Sequence, residues 1–275
     1  MKYVIVLLLG LSVLISCNDS KPANGSSHSS RDSTVLPAVE AELPSGHVVN
    51  LQYVPAGAFD MGDPAYNFNK VISKLTTENH NKNAPYRKGV SISKSYLISN
   101  LLSNELGIEF LKTLSEPSIK RCLIVTNESS IVYDEGQLTN VIPGGVINCF
   151  SYWGAEQFCK WLSNKLKSRV TLPTEAQWEY SVKYFDKNKI QFYESSIIGS
   201  WCSDFYSTNA DDMGDLIDPS GPPVSSVSTS DGIQMRVIRR YSTMIPSRVM
   251  ARDGSAGMIR SSLNGIQVVI NVESE

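Results

Sequence analysis

The residues able to do chemistry in this chain of 275 amino acids are few and unevenly placed. Cysteine stands at 17, 122, 149, 159 and 202, and histidine at 28, 47 and 80. Thiolate and imidazole are the usual soft and borderline metal ligands. The spacing of these residues matches no zinc pattern, and no histidine lies near the last four cysteines. Glu175 and Glu179 are one helical turn apart. Such a pair can do acid–base work, or it can be first-turn acids favoured by the helix dipole, with Glu179 bonding to loop backbone. Asp204, Asp211 and Asp212 could hold a cation, or form Asx-turns in a loop. Neither G-x-S-x-G nor S-x-x-K is present to supply a serine nucleophile.

Arg236, Arg239, Arg240, Arg248, Arg252 and Arg260 form a C-terminal basic cluster in a chain of net charge -2. With Tyr241, the first five are the candidate partner-binding surface: guanidinium is suited to an acidic ligand, a lipid headgroup or a protein face. Solvated surface arginine is the plainer reading. A chain 41% hydrophobic and 19% charged, with this balance, is an ordinary globular protein. That composition excludes wholesale disorder, a fibrous rod and a basic nucleic-acid binder.

Residues 1–16 read as a secretory signal. Lys2 precedes the apolar run Tyr3 to Ile15, which is short for a membrane span. The run closes on Leu14-Ile15-Ser16-Cys17, which resembles the bacterial lipobox and implies a lipid on Cys17. Asn18 rather than Asp after Cys17 favours the outer membrane, with the domain facing the periplasm. Residues 17–46 are the lipidated Cys17 and a flexible Ser-rich tether, its 18–34 part too polar to fold and 35–46 transitional, and the folded domain is expected over 47–275. In that oxidising compartment Cys122, Cys149, Cys159 and Cys202 could form two disulfides, or remain buried thiols.

The elements that must position these residues follow from periodicity. Val48 to Gly62 predicts two short strands about a turn, and Val90 to Ile98 a further strand. Ala65 to Arg87 predicts a long surface loop, and Asp211 to Asp231 another. Apolar residues at helical spacing predict helices over Ser103–Leu114, Ala155–Lys167 and Thr174–Phe185. Thr174 and Gln177 fit a capping box. Arg169 to Leu172, Arg236 to Arg240 and Gly265 to Val272 predict short extended segments. The expected class is α+β, with two or three helices, short mixed strands and much loop, and no repeat or βαβ alternation.

Several segments, in order, resemble the formylglycine-generating-enzyme (sulfatase-modifying-factor) family. Val54-Pro55-Ala56-Gly57-Ala58-Phe59-Asp60-Met61-Gly62 is like its opening V-P-x-G-x-F-x-M-G. Asn148 to Ser163 runs into Leu172-Pro173-Thr174-Glu175-Ala176-Gln177-Trp178-Glu179-Tyr180, close to L-P-T-E-A-E-W-E-Y. Trp201-Cys202-Ser203-Asp204-Phe205-Tyr206 is like E-W-x-x-D-W-Y. Asp218 to Pro222 leads to Arg236-Val237-Ile238-Arg239, and Asn264-Gly265 opens a stretch like the terminal N-x-G-F-R-V. The resemblance implies one loop-rich domain of C-type-lectin-like character.

The family's oxidases resemble copper enzymes that bind Cu(I) through two C-terminal cysteines. Here Arg240 to Glu275 contains none. Arg240 and Tyr241 replace the two glycines of R-G-G-S-W, and Ser200 the Glu before Trp. Neither the copper site nor the family's calcium site is therefore carried over, and no metal, cofactor or catalytic residue is assigned. The three-histidine helical domain of the iron-dependent sulfoxide synthases has no counterpart. The resulting expectation is a non-catalytic, lipid-anchored binding protein whose partner is another protein. That partner would be a toxin it neutralises or a component of an envelope machine. The alternative is a periplasmic oxidoreductase acting through Cys149, Cys159 or Cys202.

Overall fold

Strict alternation builds the first sheet. In Ala38–Glu42 (β3) and Val48–Val54 (β4), Val39, Ala41, Val49 and Leu51 turn inward while Glu40 and Asn50 turn out. The computed structural model describes residues 7–8, 11–12, 38–62, 86–123, 129–188, 198–207, 214–225, 228, 232–240, 251–257 and 264–272. In the apolar N-terminal run, Leu7–Leu8 (β1) pairs with Leu11–Ser12 (β2). Next come Gly57–Met61 (β5), Arg87–Ile92 (β6) and Tyr96–Ser99 (β7), then helices Asn104–Leu111 (α1) and Glu116–Cys122 (α2). The hairpin Ile131–Asp134 (β8) and Gln137–Asn140 (β9) leads to Tyr152–Leu166 (α3), Val170–Thr171 (β10) and Glu175–Asn188 (α4). Gly199–Phe205 (β11), Met235–Arg240 (β12), Ala251–Ala256 (β13), Asn264–Gly265 (β14) and Val269–Asn271 (β15) complete the described elements.

Among the described residues two larger sheets, three two-stranded pairs and four helices make this an α+β fold. The first sheet runs β10-β15-β7-β4-β3, antiparallel throughout. The second runs β13-β12-β11-β14, with β14 parallel to β11. One face of the first sheet (Val49, Leu51, Leu97, Ile270) packs on Phe110 of α1 and Phe158 and Leu162 of α3. The opposite face (Val54, Tyr96, Ile98, Val269) packs on Ala176 and Phe185 of α4 and on the β5–β6 hairpin. Trp178 and Val182 of α4 then meet Cys202 and Val237 of the second sheet. Helix α4 thus joins the two sheets.

Local sequence explains the helix starts. Ser151 Oγ accepts from Gly154 N at 3.0 Å to cap α3. The expected capping box closes on α4: Gln177 N donates to Thr174 Oγ1 (3.1 Å) and Thr174 N to Gln177 Oε1 (3.0 Å). Among the described residues no helix is long and apolar enough to cross a membrane.

Three expectations need correction. The sheet begins at Ala38, within the segment read as tether, because Val39, Ala41 and Leu43 bury against β4 and α1. The single strand expected over Val90 to Ile98 is two, broken where Ser93 N donates to Asp218 Oδ1 at 2.7 Å. A fourth helix, α2, was not expected: it is short, with Pro117 in its first turn, and buries only Ile119 and Cys122. The loop expected over Ala65 to Arg87 lies mostly outside the described residues.

Candidate functional site

Helix α4 enters between the sheets with Glu175 and Glu179 on its buried side, at 0% and 1% exposure. Two arginines opposite each other on the β12–β13 ladder, Arg239 and Arg252, point at them. Arg239 Nη1 donates to Glu175 Oε1 (2.9 Å) and its Nη2 to Glu179 Oε2 (2.8 Å). Arg252 grips Glu175 with both edges of its fork, Nε on Oε1 and Nη2 on Oε2 (2.9 Å), and its Nη1 reaches Ser207 O (2.6 Å). Glu179 Oε1 takes Gly62 N (2.5 Å) and the Lys183 ammonium (2.7 Å). Burial works to raise the Glu175 carboxyl, but Arg252 and Arg239 outweigh it and hold the group below the usual carboxylate range.

Asp204 caps the same helix from outside its chain segment. Its Oδ2 accepts from Glu175 N at 2.7 Å, while its Oδ1 has no hydrogen-bond partner among the described residues. Burial, then the charge of Glu175, pushes its carboxyl up to about 7. Gly221, in the left-handed region at φ 76°, lies against it; a Cβ there would sit 3.0 Å from Oδ1.

This network corrects the reading of the basic cluster. Arg239 is 3% exposed and Arg252 is buried in an ion pair, so neither presents a surface. Each is held inside because the carboxylates that neutralise it come from α4, more than sixty residues earlier in the chain. Arg240 pairs with Asp253 at 2.8 Å at the domain's edge. Tyr241, Arg248 and Arg260 lie outside the described residues, as does Cys17.

The cysteines are buried too. Cys122, Cys149, Cys159 and Cys202 are all buried, and none is joined to another in this structure. Cys122 ends α2, Cys149 precedes α3 in a left-handed conformation (φ 60°), and Cys159 is on α3, all three in one core cluster, while Cys202 lies on β11 in another. Ser129 Oγ donates to Cys149 Sγ at 3.3 Å. Burial pushes the Cys159 and Cys202 thiols well up, away from the thiolate that metal binding or nucleophilic attack requires.

Arg236 is the member of the cluster that faces a cavity. A cleft of ≈ 770 Å³ opens between the start of α3, the α2 helix and the ends of β11 and β12. The Arg236 guanidinium is sandwiched there, 3.5 Å from the Phe205 ring centroid and 4.4 Å from that of Tyr152. Its Nη1 donates to Ser203 O at 2.6 Å. A second guanidinium, Arg121 of α2, lies 4.4 Å over the Trp153 ring. Lys120, Glu156, Pro117 and Ile233 also line the space. Burial pushes the Tyr152 hydroxyl up, against the pull of Arg236, so it stays a neutral phenol. The cleft therefore offers aromatic faces and guanidinium edges, the equipment for holding planar anions.

Sequence reasoning reached Arg236 but not its surroundings. Arg121 escaped because α2 was not predicted. Tyr152, Trp153 and Phe205 were noted as parts of motifs and not as walls of a site. The available signal was an aromatic pair in the first turn of a capped helix, where side chains flank the helix entrance.

No family model matches the chain, and no curated protein sequence matches it. Solved structures do resemble it. PvdO from Pseudomonas aeruginosa superposes over 82% of this chain and 95% of its own, with TM-score 0.52 and 15% identity. Treponema denticola variable protein 1 covers 84% of this chain and 98% of its own, with TM-score 0.51 and 14% identity. At such identities the likeness is one of fold. The chain thus has an α+β fold like that of the formylglycine-generating-enzyme-like (sulfatase-modifying-factor-like) domains.

Proposed function

We propose that this chain is a non-catalytic binding protein, anchored by lipid on Cys17 to the outer membrane of a bacterium and engaging another protein in the periplasm. The observation that carries the reading is the cleft over Arg236, where two guanidiniums are stacked on aromatic rings. Such groups hold a ligand in place and lack a nucleophile. Two further facts support it. The sequence from Arg240 onward has no cysteine to act as a copper ligand. The carboxylates and arginines most able to do acid–base work are spent on each other in the interior. A thiol-based oxidoreductase would need Cys149, Cys159 or Cys202 exposed and ionised, and all three are buried. A toxin to be neutralised and a component of an envelope machine are the two partner types that fit a tethered domain of this kind.

The test uses the full chain in its own organism, with a photoreactive phenylalanine analogue in place of Trp153 or, as a control, in place of Arg169. One envelope or secreted protein cross-linked from position 153 alone is the expected result. No adduct at 153, or the same adducts from both positions, rejects the binding role. Cys17→Ser should lose palmitate labelling and move to the soluble fraction; a labelled, membrane-bound variant rejects the anchor.

A further inference from the structure

We infer that the cleft over Arg236 takes an acidic segment of a partner protein, with Arg236 and Arg121 each receiving a carboxylate. The inference rests on the protein-binding reading above and adds the chemistry of what is bound.

Three cations, Lys120, Arg121 and Arg236, line this cleft against one carboxylate, Glu156. Lys120 is already tied to Glu116 at 2.5 Å. The two arginines are not tied to any carboxylate among the described residues. Their faces are covered by Phe205, Tyr152 and Trp153. Stacking fixes each guanidinium plane and leaves its N–H edge as the reactive side. For Arg236 one N–H of that edge is used by Ser203 O, and Nε and Nη2 have no partner among the described residues. A stacked fork of this kind, with its edge open, matches a carboxylate in a bidentate pair, and less ordering entropy is lost than with a mobile side chain.

The size and walls select a chain segment over a single ion. A volume of ≈ 770 Å³ far exceeds one phosphate or acetate. Pro117, Ile233 and the aromatic rims would stay wet around a bare anion, but can cover the apolar side chains that flank Asp or Glu in a peptide. Two separate guanidiniums also call for two carboxylates, which one acidic segment supplies together.

Calorimetry on the full-length protein in detergent micelles, at low salt, would use a glutamate decapeptide as probe, with a serine decapeptide and inorganic phosphate as comparisons. The glutamate peptide should bind, and Arg236→Gln and Arg121→Gln should each weaken it at least tenfold. Arg169→Gln, at a separate surface cleft, should leave it unchanged. Arg121 is exposed on α2, so its variant remains informative even if Arg236→Gln lowers the melting temperature. No binding of the glutamate peptide, binding indifferent to both variants, or phosphate binding as tightly as the peptide would each overturn the inference. Repeating the Trp153-position cross-link with both arginines replaced separates the two levels. An adduct that persists overturns the acidic segment while the protein-binding reading survives; no adduct even with both arginines present rejects that reading itself.

Discussion

Glu175 and Arg252, 77 residues apart in sequence, meet inside the domain as a two-edged pair, Arg252 Nε on Oε1 and Nη2 on Oε2 at 2.9 Å. Arg239, directly opposite Arg252 on the β ladder, closes on the same carboxylate and on Glu179. Two like charges facing each other across strands would repel. The helix α4 carboxylates between them turn that liability into the joint between helix and sheet.

Removing one partner should expose the repulsion. Glu175→Ala leaves the buried Arg252 without its carboxylate and Arg239 with Glu179 alone, and the expected loss is about 3–5 kcal/mol. In a thermal melt that is a fall of roughly 6–20 °C. Glu175→Gln combined with Arg252→Gln should recover part of the loss, since it removes a charge of each sign. A melting temperature that Glu175→Ala leaves unmoved would contradict the buried joint.

Asp204 should make stability depend on pH. Its carboxyl is raised from 3.8 to about 7 in the folded protein. Between those values the folded state binds the proton and the unfolded chain does not, so stability falls as pH rises through that window. The slope can reach roughly 1.4 kcal/mol per pH unit. Glu175, held low by its arginines, acts in the opposite sense: its contribution is present above its ordinary range and is lost as pH falls through its depressed value. The two windows are therefore separable. Asp204→Asn should flatten urea midpoints from pH 4 to 7, and an unchanged slope would rule Asp204 out.

Trp178 fills the space between α4 and the second sheet at 1% exposure, and its Nε1 donates to Gln267 Oε1 at 2.8 Å. Trp178→Ala should cost about 3–5 kcal/mol. Trp178→Phe keeps most of the volume and should cost less, although it leaves the buried Gln267 oxygen without that bond. Equal losses for the two variants, read by denaturant titration, would argue against the cavity account.

Gly57 has no side chain because the Tyr180 hydroxyl occupies the place of a Cβ. Gly57→Ala should destabilise by about 1–3 kcal/mol through overpacking. Adding Tyr180→Phe removes the colliding oxygen and should restore much of that loss. A double variant no better than Gly57→Ala would place the strain in the backbone instead.

Much of the frame was legible along the chain. Ser151 before Tyr152 and the Thr174–Gln177 box mark helix starts through bonds that span three residues, so neighbours alone determine them. The alternation of Val49 and Leu51 with Asn50 names a strand for the same reason. Ala38–Glu42 was misread because its alternation is only five residues long and borders the polar tether, and pairing with β4 makes it a strand. Helix α2 was missed because it is too short to show a period.

The sequence by itself determined the periodic elements, the capped helices, the order of the motifs and the lack of cysteine after Cys202. Tertiary structure alone decided the fate of the charges. Arg236, Arg239 and Arg252 are one residue type in one stretch, yet one lines a cleft and two are buried in ion pairs. Periodicity says which way a side chain faces along its own element. Whether a guanidinium meets water, an aromatic ring or a carboxylate depends on what packs opposite it, and here those groups arrive from β11, α3 and α4, distant in sequence and close only after folding.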